Sequence, residues 1–227
     1  MLNRTIHESH LRRLTASIFN DPVLSTQLAL KGGTCLFLFY NLNRFSTDLD
    51  FNCVDFGLDV ERLSDIFKSY EIQEQTNKHN TWFWLLSYGK NTVKIKVEVS
   101  KRDYPDMYEF KDFLGVKTKV MTRECMFSHK LCAITDRKIM QNRDLYDALF
   151  MLKNDFDINE EIIKIRTKLS TKEYFEYLLE FIPNKVKAKH ILDGLGEVLD
   201  EKQKIYFREH LMSDLIFELN NKIIQLA

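Results

Sequence analysis

A chain of 227 residues with 44% hydrophobic content and 17 Phe is long enough for one generous domain or two compact ones with a packed core. Its 33 Lys and Arg cancel 33 Asp and Glu, so no global field marks it for nucleic acid, a membrane surface or an acidic substrate, and any basic site has to be local. No apolar run approaches the roughly 20 residues of a membrane span and no leader pattern opens the chain, which predicts a soluble protein of the cytoplasm.

In chain order, residues 5 to 19 read as a helix, and Asp21-Pro22 as a cap with proline in the first turn of the next. A short apolar segment, Leu28 to Lys31, runs into Gly32-Gly33-Thr34. Cys35 to Leu42 is apolar on nearly all sides, as a helix buried beneath a sheet would be. Asp48-Leu49-Asp50-Phe51 alternates like a half-buried strand. Trp82 to Tyr88 and Thr92 to Ser100 read as a hairpin around Gly89-Lys90-Asn91, with Val93, Ile95, Val97 and Val99 on one face and Lys94, Lys96 and Glu98 on the other. Trp82, Phe83 and Trp84 are predicted to be core and hairpin cover, with base stacking open to any that is exposed.

From about residue 122 the pattern is helical. Ser170 with Glu173 spells a capping box, Pro183 is predicted to end that helix, Gly194 and Gly196 interrupt the next stretch, and Asp200 starts a last long helix. The expected class is α+β, a mixed-sheet catalytic domain over residues 1–155 followed by a C-terminal helical bundle over 156–227. Cys35, Cys53, Cys125 and Cys132 show neither a C-x-x-C pair nor zinc-finger spacing and are read as reduced, packed thiols. The six histidines show no ligand spacing and receive no role.

Three carboxylates suit a hard cation. Asp48 and Asp50, two apart on a strand, emerge from one face about 6–7 Å apart. Glu98 sits between Val97 and Val99 on the polar face of another strand, as a third metal ligand or as a surface partner of Lys94 or Lys96. Gly32, Gly33 and Thr34, between strand and helix, are either a plain tight turn or a phosphate cradle of backbone amides at a helix N-terminus, with the Thr34 hydroxyl as one further donor. Lys130, Ile134 and Arg137 follow i, i+4, i+7 spacing, and residues 117 to 143 hold seven Lys or Arg against two acids, a face suited to phosphate unless these are ordinary solvated charges. With Asn142 as helix cap, Asp144 falls in a first turn, where the helix dipole alone favours a carboxylate, so Asp144 and Asp147 either touch substrate or pair with Arg137 or Arg143.

Lys31-Gly32-Gly33-Thr34, then Arg44, Ser46, Asp48 and Asp50, then Lys130-Leu131, Arg137 and Arg143-Asp144-Leu145-Tyr146-Asp147 resemble the motifs of the AbiEii/AbiGii toxin family, within the DNA polymerase beta-like nucleotidyltransferases, over about residues 30 to 153. The resemblance implies that Gly33 and Thr34 contact a triphosphate, that Asp48 and Asp50 bind magnesium, commonly as two ions, that Lys130 contacts nucleotide phosphates, and that Asp144 or Asp147 is needed for activity. It implies a nucleoside triphosphate substrate, an RNA acceptor that is the end of a transfer RNA for some members, and a separately encoded antitoxin. Thr34 stands where the wider superfamily often has Ser, and the third carboxylate varies among members, so Glu98 rests on its strand position. Transfer to a protein hydroxyl, or nucleotide binding with little turnover, are the competing expectations.

Overall fold

The computed structural model describes residues 2–55 and 57–226. It divides into two compact units, the first ending at Thr122 and the second beginning at Arg123.

In the first unit, α1 (Arg4–Asn20) is capped by the Asn3 side chain, which accepts from the Ile6 amide at 3.1 Å, and buries His7, Leu11, Leu14 and Ile18, one stripe at helical spacing. Asp21 ends it and accepts from the Val23 and Leu24 amides, but the short helix α2 (Leu24–Gln27) has Val23 at its N-cap position, so Pro22 lies ahead of its first turn and not within it. Strand β1 (Leu28–Lys31) has the predicted bounds. Helix α3 (Gly32–Phe39) begins three residues before the expected Cys35, because the glycines themselves form its first turn. Then come β2 (Leu49–Cys53), α4 (Val60–Phe67), β3 (Glu71–Lys78), β4 (Thr81–Ser87), β5 (Ile95–Ser100), β6 (Tyr108–Phe113) and β7 (Val116–Met121).

The seven strands form one sheet in the order β3-β4-β5-β2-β1-β7-β6. Pairs β2–β5 and β1–β7 are parallel and the other four antiparallel, a mixed sheet as expected. One face is the core: Phe51, Trp84, Ile95, Val97 and Val99 are fully buried, and Phe19 on α1 and Phe67 on α4 close over Phe51 and Trp84 at 6.2 and 5.5 Å between ring centroids. Trp84 is thus core, as predicted, while Trp82 and Phe83 are half-buried and Lys101 Nζ lies 4.1 Å from the Trp82 ring centroid.

The second unit is helical: α5 (Arg123–Asp136), α6 (Asn142–Lys153), α7 (Glu160–Thr167), α8 (Thr171–Lys185), a short 3-10 turn at Ala188–His190, and α9 (Glu201–Gln225). The predicted capping box at Ser170 and Glu173 is present, and Asp200 forms a second with Gln203 at the head of α9. Pro183 does not end α8, which runs on to Lys185. Asn142 is the first residue of α6, with Gln141 as the cap and no side-chain capping bond. The unit boundary lies before α5 rather than near residue 155, since α5 and α6 bury their apolar faces on helices of their own unit. Tyr146 on α6 meets Phe207 on α9 at 5.1 Å, and Tyr174 on α8 donates to the Leu131 carbonyl on α5 at 2.9 Å. No helix among the described residues is long and apolar enough to cross a membrane.

Candidate active site

Register assembles the first unit's candidate residues into a transverse row. Lys31 on β1 pairs with Asp50 on β2, Asp50 with Glu98 on β5, and Glu98 with Phe83 on β4. Paired residues project from one face of a sheet, so the alternation that buries Phe51, Val97 and Val99 places Asp50 and Glu98 on the opposite face. Asp48 lies immediately before β2, two residues ahead of Asp50; both aspartates are half-buried and Glu98 is exposed. Among the described residues, no three His, Cys, Asp or Glu side chains converge as a ready cation cage.

Gly32 is shaped by its neighbour. Its φ is +75°, and a Cβ there would lie 2.5 Å from Asp50 Oδ2, so the carboxylate rests against bare backbone at the first turn of α3. A Cβ at Gly33 would lie 2.8 Å from Arg44 Nη2 and 3.0 Å from Ser46 Oγ. Both glycines therefore give way to polar side chains, Gly32 to one from β2 itself and Gly33 to two from the segment leading into it. Arg44 is buried and donates from Nη1 to the Phe45 carbonyl at 2.9 Å.

Thr34 is fully buried, its hydroxyl bonded to Ser46 Oγ at 2.9 Å and to the Asp48 carbonyl. The expected free phosphate donor is instead a tether that fixes the approach to Asp48. A second tether comes from α1: the buried His7 lies 2.9 Å through Nε2 from the Thr47 carbonyl and 3.0 Å through Nδ1 from the Tyr88 hydroxyl. Burial pushes the His7 pKa below its ordinary 6.5, against the raising pull of the Thr47 hydrogen bond and the Asp48 charge.

In the second unit, Lys130 Nζ lies 3.1 Å from Asp144 Oδ1 and 2.8 Å from Asp147 Oδ2, and Arg137 Nε lies 3.0 Å from Asp144 Oδ2. The Asp144 and Asp147 side chains are 0% exposed, Lys130 15% and Arg137 43%. Two buried acids at i, i+3 on α6 thus hold one ammonium in place. The Arg137 contact is Coulombic, since Asp144 Oδ2 receives no aligned hydrogen bond among the described residues. Arg137 lies one residue past the end of α5, not on its face as the spacing suggested. Both acids thus meet Lys130, a partner that neither sequence reading named, Asp144 meets Arg137 as well, and the cations carry the accessible surface. All four cysteines are free; burial pushes the Cys35 and Cys132 thiols up, Cys132 to about 12, so both are uncharged packing groups at neutral pH.

Residues 13–217 match the family model for AbiEii, a nucleotidyl transferase toxin of type IV toxin–antitoxin systems. The chain belongs to the AbiEii family. Its fold is similar to that of JHP933 from Helicobacter pylori, at 21% identity and TM-score 0.58, covering 98% of this chain and 96% of that one. A candidate nucleotidyltransferase from H. pylori aligns at 24% identity and TM-score 0.64, over 98% and 97% of the two chains. An antigenic nucleotidyltransferase-like protein from Paracoccidioides brasiliensis aligns at 15% identity and TM-score 0.50, over 78% and 91%. No curated protein sequence matches. As an AbiEii-family member the chain is a nucleotidyltransferase and a component of a type IV toxin–antitoxin system, a membership that implies an antitoxin counterpart. Sequence reasoning gave Arg44 and Ser46 no role and His7 none; the signal for the first two was the period of two that runs Arg44, Ser46, Asp48, Asp50, and for His7 a lone polar residue in the apolar stripe of α1.

Proposed function

We propose that this AbiEii-family chain transfers a nucleoside monophosphate from a nucleoside triphosphate to an RNA hydroxyl. The acceptor oxygen bonds to the α-phosphorus, the bond from that phosphorus to the bridging oxygen breaks, pyrophosphate leaves, and the hydroxyl proton passes to a carboxylate. The observation that carries this reading is the Lys31–Asp50–Glu98 row with the Asp50 carboxylate laid on Gly32 at the head of α3.

An all-carboxylate donor set fits magnesium, which takes hard oxygen ligands and commonly uses one or two carboxylates, completing its shell with water and substrate phosphate. No preformed three-acid cage is needed. Asp48 and Asp50 would hold two such ions, with the exposed Glu98 free to swing toward them. Magnesium supplies neutralisation of the phosphate charge and alignment of attacking and leaving oxygens. Gly32 and Gly33 offer backbone amides and a helix N-terminus to the triphosphate. Arg44, above Gly33, adds a guanidinium there. Lys130 and Arg137 are the second unit's phosphate contacts, and Asp144 and Asp147 act through Lys130.

The test is incubation with each α-labelled nucleoside triphosphate, magnesium and total RNA, beside Asp48→Asn. Label entering RNA from one nucleotide, absent with the variant, is the expected result. Label in protein instead would move the acceptor to a protein hydroxyl, and nucleotide binding without transfer would leave a binding module.

A further inference from the structure

The loop that delivers Asp48 is held from behind by a histidine outside every motif that carries the resemblance. His7 sits on α1, the rest of the constellation on α3, β2 and β5, and its imidazole is fully buried between the Thr47 carbonyl and the Tyr88 hydroxyl. A carbonyl only accepts, so Nε2 carries the proton and donates to Thr47; Nδ1 then accepts from the Tyr88 O–H. The Tyr88 ring is itself fixed, stacked on His10 at 4.3 Å between centroids, and His10 Nδ1 pairs with the Tyr70 hydroxyl at 3.1 Å. His7 therefore ends a braced chain, and its single donor is aimed at the peptide carbonyl immediately before Asp48.

We infer that His7 is a positioning residue for the metal-binding carboxylates, fixing the Thr47–Asp48 peptide so that Asp48 meets the cation together with Asp50. Thr34 grips the next carbonyl, that of Asp48, so successive carbonyls on either side of the Asp48 side chain are pinned from two different helices. This deepens the function proposed above and rests on its assignment of Asp48. Hydrogen-bond partners behind metal ligands are worth about 10–100-fold in metal affinity, and His7, one peptide removed, should fall near the tenfold end.

The experiment titrates magnesium chloride into the full chain and follows the rise in melting temperature, which needs no turnover. His7→Gln places an amide donor near the position of Nε2 and keeps the Thr47 bond; His7→Asn places it near Nδ1 and loses that bond. The expected result is that His7→Asn raises the half-saturating magnesium concentration about tenfold, that His7→Gln stays close to wild type, and that the KM for nucleoside triphosphate is unchanged in both. Equal titrations of His7→Asn and wild type overturn the inference and leave the proposed transferase intact. A wild-type chain that magnesium does not stabilise removes the metal assignment and this inference with it. Should His7→Asn fail to fold, Tyr88→Phe deletes one hydroxyl from the brace; an unchanged magnesium titration in that variant overturns the inference, and a weakened one supports it.

Discussion

Replacing Gly32 with Ala tests whether the Asp50 carboxylate is placed by the glycine turn. The added Cβ would stand 2.5 Å from Asp50 Oδ2, well inside the ~3.5 Å at which nonbonded heavy atoms settle. Relief requires that oxygen to move by about 1 Å, and the far end of a side chain does so more easily than the sheet. The backbone contributes separately: φ of +75° costs a non-glycine residue about 1–2 kcal/mol. Gly115 supplies the control, with φ of +78° and nothing within 4 Å of its hypothetical Cβ. Both Gly32→Ala and Gly115→Ala should therefore lower the melting temperature by a few degrees through the shared backbone strain, Gly32→Ala by more because its Cβ would also stand 3.1 Å from Asp50 Cβ. Transfer of labelled nucleotide should differ, since a misplacement of about 1 Å can cost 100-fold: Gly32→Ala should lose about that much and Gly115→Ala almost none. Equal activity in the two variants would refute the argument that Gly32 places Asp50.

Thr34→Val removes a buried hydroxyl, strands the Asp48 carbonyl and takes away the partner of the Ser46 hydroxyl, so the urea midpoint should fall by the equivalent of about 1–3 kcal/mol while Thr34→Ser stays near wild type; an unshifted midpoint in Thr34→Val would dismiss the tether. Lys130→Met leaves two fully buried carboxylates without their ammonium and should cost about 3–5 kcal/mol in chemical denaturation. Adding Asp144→Leu and Asp147→Leu should recover much of that stability but none of the activity, and recovered activity would remove Lys130 from phosphate binding. At Asp214 on α9, burial raises the carboxyl pKa, but hydrogen bonds from Lys153 on α6 and from Tyr206 outweigh it and hold it below its ordinary 3.8. The unfolded chain then takes up that proton first, so the stability from this group is present above 3.8 and is lost as pH falls below it. Asp214→Asn should flatten that part of the acid limb of a stability-versus-pH curve, and an unaltered limb would contradict the pairing.

What was legible in the sequence depended on whether a residue's role is written in local periodicity. The β4–β5 hairpin, the Ser170 cap and the buried row Ile95, Val97, Val99 carry a pattern of two or a cap within a few residues, and strand β1 shows as a short apolar run bounded by Gly32, so all four are legible. Strand β3 was not: Glu71 to Lys78 is exposed along nearly its whole length as a sheet edge, so no apolar alternation announces it. The β6–β7 hairpin turns through Leu114 and Gly115, both at positive φ, and Leu at the first position hides the usual Asn-Gly or Asp-Gly signal. At the site, the spacing of Asp48 and Asp50 and their coupling to Glu98 could be anticipated from strand faces. The burial of Thr34, the pairing of both α6 acids with Lys130, and the contact of His7 with Thr47 depend on residues 12 to 40 positions apart in sequence and had no local signature.

The shared register of β2 and β5 also limits where this chain can vary in length. Asp50 faces Glu98 only while Phe51 faces Val99, so inserting or deleting one residue within either strand would turn an acid inward and a valine outward in the same event. Between β4 and β5, residues 89–94 lie outside both strands, beyond the Tyr88 that braces His7, and can absorb such changes. Length variation among descendants of this chain should accordingly gather in that connection and spare the two strands, because any shift within them is felt at once as lost chemistry and a broken interior.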